Sequence, residues 1–344
     1  MQGGIVMPKG KYIEDLLRAY NNRDDEKFRK IAKKIIKDEK SKSHYRLANT
    51  LEEIFDSFNS KDKFKNMDSV NESYFNKLPR DDKNGSDLVS IIKPNYYLEE
   101  VVLSNENKDV INNILAEYHS ATKLKSYNLD AKRRLLFCAP PGCGKTMTAQ
   151  ALANEINLPL LYIHMDSLIS SYLGDTASNL RKIFEYAERG KWIIFLDEFD
   201  TIGKSREDKN EHGELKRSVN TFLQLLDNFK LKTLLIAATN HQQLLDYAIW
   251  RRFDEILYFD KPDPDKIKEL LKLKLKVFKA NIDFDEITNK LKGMSHAQIE
   301  RICKDAIRYC IVREIDTVDN DILQKCIAEE KRRKSVYESF KSEE

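Results

Sequence analysis

The first part of the chain has the spacing of apolar residues that is typical of amphipathic helices. Between residues 11 and 60, apolar residues recur every three or four positions and are separated by Lys, Asp and Glu. This pattern predicts a small helical N-terminal domain at residues 11–60, after a disordered lead at residues 1–10. Residues 61–92 are rich in Asn, Asp, Ser and Lys, so they predict a linker.

From residue 93 onwards the apolar residues follow two alternating periods. Short apolar runs typical of buried strands occupy residues 135–137, 160–164, 192–196, 233–238 and 255–259. Helical spacing appears between them, for example at residues 176–188 and 214–227. The alternation predicts an α/β domain at residues 93–262, with a parallel sheet and helices on both faces. The pattern that follows is helical throughout, predicting a small all-α lid at residues 263–335 and a tail at residues 336–344.

Composition narrows the class of protein. The chain has 344 residues, of which 41% are apolar and 33% charged, and its formal net charge is +3. A basic excess this small does not by itself indicate that the protein binds nucleic acid or a membrane. The Lys-rich segment 266–279 has apolar residues at core spacing, which favours a solvated helix face over a nucleic-acid patch. No run has membrane-spanning length and no signal peptide is present, so we expect a cytoplasmic protein with reduced cysteines.

A glycine-rich segment lies between the predicted strand at 135–137 and a helical pattern. Its residues are Pro141, Gly142, Cys143, Gly144, Lys145, Thr146 and Met147. A turn of this kind points backbone N–H groups and the positive end of a helix at one spot, which suits the phosphates of a nucleotide such as ATP. Lys145 would reach the β- and γ-phosphates, and the Thr146 hydroxyl would hold Mg²⁺. The usual phosphate-loop pattern begins with Gly, where this chain has Ala139; an ordinary turn is the alternative.

Two carboxylates follow directly after the apolar run at residues 193–196. Asp197 and Glu198 need cationic or aqueous surroundings, because an unpaired carboxylate is costly to bury. Beside the phosphate loop, Asp197 would hold Mg²⁺ and Glu198 would orient and deprotonate the attacking water. The alternative is a solvated loop start.

In this order, the motifs resemble those of AAA+ ATPases, specifically the classical AAA clade of protein-remodelling enzymes, from about residue 95 to residue 333. The resemblance implies a P-loop α/β fold and a first-sensor role for Asn240, which would position the lytic water. It also implies that Arg251 and Arg252 project into the γ-phosphate site of a neighbouring subunit. Their adjacency is similar to that of microtubule-severing and membrane-scission members. Arginines supplied by a neighbour require a ring, which in this family is usually a hexamer.

Two further segments take their meaning from the same resemblance. His296 and Ala297 lie where the clade has its second sensor, which implies contacts with the base or ribose; Ser295 and Gln298 also form a capping-box sequence for a helix. Tyr172, Leu173 and Gly174 are similar to the first pore loop, which grips a polypeptide in the central channel.

The resemblance therefore implies Mg²⁺-dependent ATP hydrolysis in a ring, coupled to unfolding, translocation or disassembly of protein substrates. One alternative is an ATP-gated switch that recruits a separate protease or nuclease through residues 11–60. A weaker alternative is a DNA-handling AAA+ ATPase.

Overall fold

The computed structural model describes several segments of the chain. In the N-terminal part these are residues 12, 15, 18, 19 and 25–41. In the rest of the chain they are residues 78–83, 85–165, 168, 176–201, 212–229 and 233–341. The chain divides into two compact units, Met1–Asn76 and Lys77–Glu344. In the first unit, helix α1 (Asp25–Ser41) lies in the segment predicted to be helical. The predicted lead at 1–10 and most of the predicted linker lie outside the described residues.

A six-stranded sheet organises the second unit. Its strands are β1 (Val89–Ile92), β2 (Arg134–Cys138), β3 (Leu160–Ile163), β4 (Ile193–Leu196), β5 (Leu235–Thr239) and β6 (Glu255–Tyr258). They lie in the order β1-β3-β4-β5-β2-β6. All neighbouring pairs are parallel except β1 and β3. The predicted fold class, a parallel sheet with helices on both faces, is confirmed.

Helices cover both faces of this sheet. They are α2 (Asn105–His119), α4 (Lys145–Glu155), α5 (Thr176–Arg189), α6 (His212–Asn228) and the short α7 (Tyr247–Trp250), while α3 (Ala121–Ser126) follows α2 and has no buried residue. Along β2, Leu136 packs into one apolar cluster, whereas its neighbours Leu135 and Phe137 pack into the other. Successive side chains of a strand point to opposite faces, so a strand buried on both sides is apolar throughout. This explains why the central strands were readable as uninterrupted apolar runs.

The predicted linker is corrected at its C-terminal end, because residues 89–92 form strand β1 and pair with β3. The turn before β1 is also fixed to the domain. The side-chain amide of Asn179, on α5, donates a hydrogen bond to the Asp81 carboxylate at 2.7 Å, and both side chains are buried. Strand β1 was not predicted because turn-forming residues are frequent around Asp81 and because its partner, β3, lies far away in the sequence.

The lid contains four helices, α8 (Pro264–Leu275), α9 (Phe284–Leu291), α10 (His296–Val312) and α11 (Asn320–Lys341). Asp263, Asp283 and Ser295 cap the first three by accepting hydrogen bonds from backbone N–H groups. The all-α prediction is wrong in one detail, because β7 (Lys279–Asn281) and β8 (Thr317–Asp319) form a parallel pair. Residues 336–341 of the predicted tail continue α11. Within the described part of the chain, no helix is long and apolar enough to cross a membrane.

Candidate active site

The glycine-rich segment forms a tight loop between β2 and α4. Gly142 and Gly144 have φ angles of +76° and +94°, which are readily adopted only without a side chain. Gly144 is the N-cap of α4, and as a glycine it has no side chain that could accept a hydrogen bond from the first turn. A Cβ atom built on Gly144 would meet nothing within 4 Å. The open space and the N–H groups of the first turn are compatible with an anion, which is the role that the sequence predicts for this loop.

Lys145 lies at the bottom of this cradle. Its side chain is buried, and its Nζ donates hydrogen bonds to Asn240 Oδ1 at 2.6 Å and to the Ala139 carbonyl at 3.2 Å. Burial lowers the pKa of Lys145, while the negative charge of Asp197 acts in the opposite direction. The amine therefore lacks full charge compensation from the protein, and a phosphate placed in the loop would supply it.

The two carboxylates lie at the end of β4, beside the loop. The Thr146 hydroxyl donates to Asp197 Oδ2 at 3.2 Å, so the two predicted Mg²⁺ ligands are in direct contact. Glu198 has a φ angle of +52°, which is unusual for a residue with a side chain. Its backbone N–H donates to Asp197 Oδ1, and its carbonyl accepts from the Thr201 hydroxyl. Such local strain is typical of functional sites, where surrounding contacts hold the backbone in place.

Asp200 is part of the site, although the sequence analysis did not single it out. Its carboxylate accepts hydrogen bonds from the Thr239 hydroxyl at 3.1 Å and from the Asn240 backbone N–H at 3.3 Å. Asp200 thereby links the loop after β4 to the end of β5 and holds Asn240 against Lys145. The sequence feature that could have identified Asp200 is its position as a third acidic residue shortly after strand β4.

The lid touches the phosphate loop at the start of α10. The Ser295–Gln298 capping box is present, and the Ala297 backbone N–H donates to the Gly142 carbonyl at 3.0 Å. His296 is largely enclosed, and its Nδ1 has no hydrogen-bond partner among the described residues. Burial lowers the pKa of His296, opposed by a hydrogen bond with the Val102 backbone. The predicted second-sensor segment therefore faces the loop with a neutral imidazole.

These residues surround one cavity of about 440 Å³. Its lining includes the whole loop from Pro141 to Met147, together with Asp197, Glu198, Asn240, His296 and Ala297. The structure thus brings together every loop, carboxylate and sensor residue that the sequence singled out. Tyr96, Gln150 and Glu300 also line the cavity, and the sequence analysis missed all three. The volume is within the usual range for small-molecule sites.

The two arginines lie outside this cavity and differ from each other. Arg252 makes a bidentate ion pair with Asp227, with both N–O distances at 2.8 Å, and it also donates to the Ala248 carbonyl. Arg251 is exposed at the end of α7, and its side chain has no bonded partner in the described part of the chain. The predicted pore-loop residues, Tyr172, Leu173 and Gly174, lie outside the described residues.

Replacing Gly142 by Ala tests the contact between lid and loop. The new Cβ would lie 2.9 Å from Ser295 Oγ and 3.0 Å from Ala297 Cβ, in addition to the strain of the positive φ. We expect the Gly142→Ala variant to bind ATP about tenfold more weakly, since overpacking of this kind costs about 1–3 kcal/mol. Gly85→Ala is the matched control: its φ is +70°, but its Cβ would meet nothing within 4 Å. Equal affinities of both variants and the wild type, measured by fluorescent-nucleotide displacement, would contradict this interpretation.

Comparison with known proteins agrees with this geometry. Residues 135–261 match the family described as "ATPase family associated with various cellular activities (AAA)". An uncharacterized AAA family ATPase, y4kL of Sinorhizobium fredii, is 38% identical over 331 residues, covering 96% of this chain and 97% of its own length. A putative 26S proteasome regulatory subunit homolog of Methanothermobacter marburgensis is 35% identical over 205 residues, 58% of this chain and 55% of that protein.

A third relative is the ATP-dependent zinc metalloprotease FtsH of Mycoplasmopsis synoviae, which is 31% identical over 238 residues. That match covers 67% of this chain and 36% of the metalloprotease. The likeness to the last two proteins is therefore confined to part of each, whereas the first is matched along nearly its entire length. The chain belongs to the AAA family of ATPases.

Proposed function

We propose that this ATPase works as an oligomeric ring that couples Mg²⁺-dependent ATP hydrolysis to the unfolding, translocation or disassembly of protein substrates. One observation carries the proposal: Lys145, Asp197, Glu198 and Asn240 line a single cavity with the phosphate loop. In this arrangement Lys145 binds the phosphates, and Glu198 orients and deprotonates the water that attacks the terminal phosphate. Asn240, held by Asp200, positions that water.

The site suits Mg²⁺ in the form that nucleotides bring with them. Thr146 and Asp197 offer two oxygen ligands, and Mg²⁺ commonly takes one or two protein ligands together with phosphate oxygens and water. The described residues contain no cluster of three or more acidic, His or Cys side chains that would hold a metal without the nucleotide. When bound, Mg²⁺ would neutralise charge on the phosphates.

The exposed Arg251 supports a site that is completed by a neighbouring copy. Among the described residues its guanidinium has no hydrogen-bonded partner, so it is available to the terminal phosphate of another subunit. Arg252 could act in the same way only after leaving Asp227. The adjacent pair favours the arginine arrangement of the severing and scission members. A hexamer is the ring that we propose.

Protein substrates are supported by the names of two of the relatives, a putative 26S proteasome regulatory subunit homolog and an ATP-dependent zinc metalloprotease. The proposed contact with substrate is the Tyr172-Leu173-Gly174 segment. An aromatic side chain offers apolar contact that is independent of substrate sequence.

Tyr172→Ala tests the coupling. We expect ATP turnover to stay within about twofold of the wild type, while unfolding of a tagged fluorescent protein drops at least tenfold, because a hot-spot aromatic is worth about 2 kcal/mol or more. Tyr127→Ala is a control, since Tyr127 is 70% exposed on the same domain. Unfolding at the wild-type rate by Tyr172→Ala would contradict threading.

The second candidate is an ATP-gated switch that recruits an effector through the N-terminal unit. It is favoured by the division of the chain at residue 76 and by the amphipathic helix α1. In the same assay, a wild-type ring that hydrolyses ATP without unfolding any substrate would favour this candidate.

A further inference from the structure

Glu300 is an acidic residue that lines the nucleotide cavity from the lid. It lies one helical turn after His296 and Ala297, the two lid residues that the sequence associates with the nucleotide. Residues three and four positions apart share one face of a helix, so all three belong to the same side of α10. Neither phosphate binding nor activation of the attacking water requires a carboxylate at this position.

Two lysines hold this carboxylate, and both contact the same oxygen. Lys304 Nζ lies 2.8 Å and Lys274 Nζ 3.2 Å from Glu300 Oε1. Burial acts to raise the pKa of Glu300, but the hydrogen bonds and charges of the two lysines outweigh it, and the pKa lies below its ordinary value. Glu300 is therefore ionised at neutral pH. The other oxygen, Oε2, has no bonded partner in the part of the chain that the structure describes.

The position of α10 decides which part of a nucleotide this carboxylate faces. The start of α10 is fixed to the phosphate loop by the hydrogen bond from Ala297 to Gly142. Because a helix rises about 1.5 Å per residue, Glu300 lies about 4–5 Å along the axis of α10 from Ala297, on the part of the lid that also lines the cavity. The phosphates are bound at the loop, so the nucleoside is left for the lid side of the cavity. A carboxylate there can only accept hydrogen bonds.

We propose that Glu300 Oε2 accepts a hydrogen bond from the nucleoside of ATP, while Lys274 and Lys304 fix the carboxylate through Oε1. This inference rests on the proposed function, because it assumes that the phosphates occupy the loop. The donor groups of the nucleoside are the ribose hydroxyls and the amino group of the base. Glu300 then makes the affinity depend on the nucleoside and ties the bound nucleoside to the lid.

Equilibrium binding of four nucleotides tests this assignment without requiring turnover. Displacement of a fluorescent nucleotide gives the Kd of ATP, 2′-deoxyATP, 3′-deoxyATP and purine riboside triphosphate, which lacks the amino group. We expect the wild type to bind one of the three analogues about tenfold more weakly than ATP, as the loss of a hydrogen bond to a charged acceptor predicts. The analogue that loses affinity identifies the donor. Glu300→Ala should bind ATP and that analogue within about twofold of each other.

Two further variants separate recognition from a structural role. Glu300→Gln keeps the shape and a neutral acceptor, so it should discriminate less than the wild type and more than Glu300→Ala. Lys304→Met removes one partner of Oε1 and leaves the carboxylate, so it should still discriminate. Equal binding of all four nucleotides by the wild type, or undiminished discrimination by Glu300→Ala, overturns the inference alone. Failure of the wild type to bind any nucleotide overturns the proposed function as well.

Discussion

Replacing Glu198 by Gln should abolish ATP turnover while leaving ATP binding almost unchanged. A positioned general base contributes about 10²–10⁴-fold to a rate, and glutamine cannot accept the proton. The side chain lines the cavity but is not buried, so the substitution has little effect on packing. We expect a loss of turnover of that size in phosphate-release assays and a Kd for ATP within about twofold of the wild-type value.

The matched control is Glu185→Gln, which makes the same chemical change at an exposed position on α5. This variant should hydrolyse ATP at the wild-type rate. Normal turnover by Glu198→Gln would mean that another group activates the water, and the roles assigned to the end of β4 would have to be withdrawn. Loss of ATP binding would instead indicate a structural role for Glu198.

Arg251→Ala should lower turnover by about 10³-fold or more, which is the range for arginines that stabilise the transition state of phosphoryl transfer. Arg251 has no bonded partner among the described residues, so its removal should leave the folded copy intact. The free energy of unfolding, measured with denaturant, should therefore be unchanged. Phosphate release at saturating ATP measures the effect on rate.

Arg252 is expected to affect stability and not turnover, in contrast to Arg251. Arg252→Ala removes the bidentate pair with Asp227, so it should lower the free energy of unfolding by about 1 kcal/mol, a typical value for a partly exposed pair. Asp227→Asn should cause a similar loss. If Arg252→Ala instead abolished turnover and Arg251→Ala did not, the assignment of the two arginines would be reversed.

Much of the site could be predicted because its signals are local. The phosphate loop is one continuous segment, and Asp197, Glu198 and Asn240 each follow an apolar run that can be recognised as a buried strand. In the sheet, β4, β5 and β2 are adjacent and parallel, so their carboxyl ends meet at one edge. Ligand sites in open α/β sheets occur at this edge. The order of motifs was therefore enough to bring them together.

Other features depend on contacts between distant parts of the chain. Strand β1 is short and is defined by its pairing with β3, more than sixty residues later. Strand β7 consists of exposed residues only, so no apolar pattern marks it. Glu300 is a candidate because it contacts Lys274 and lines the cavity, and neither contact can be predicted from the spacing of residues on α10. The pairing of Arg252 with Asp227 was likewise invisible in the sequence.

The central claim is that each active site combines Glu198 of one copy with Arg251 of the next. Mixing Glu198→Gln protein with Arg251→Ala protein tests it, because each variant supplies what the other lacks. In a ring with random order, about a quarter of the sites join an intact Glu198 to an intact Arg251 from the neighbour. We predict that the equimolar mixture regains about that share of wild-type turnover. Turnover no higher than the average of the two separate variants would contradict the account.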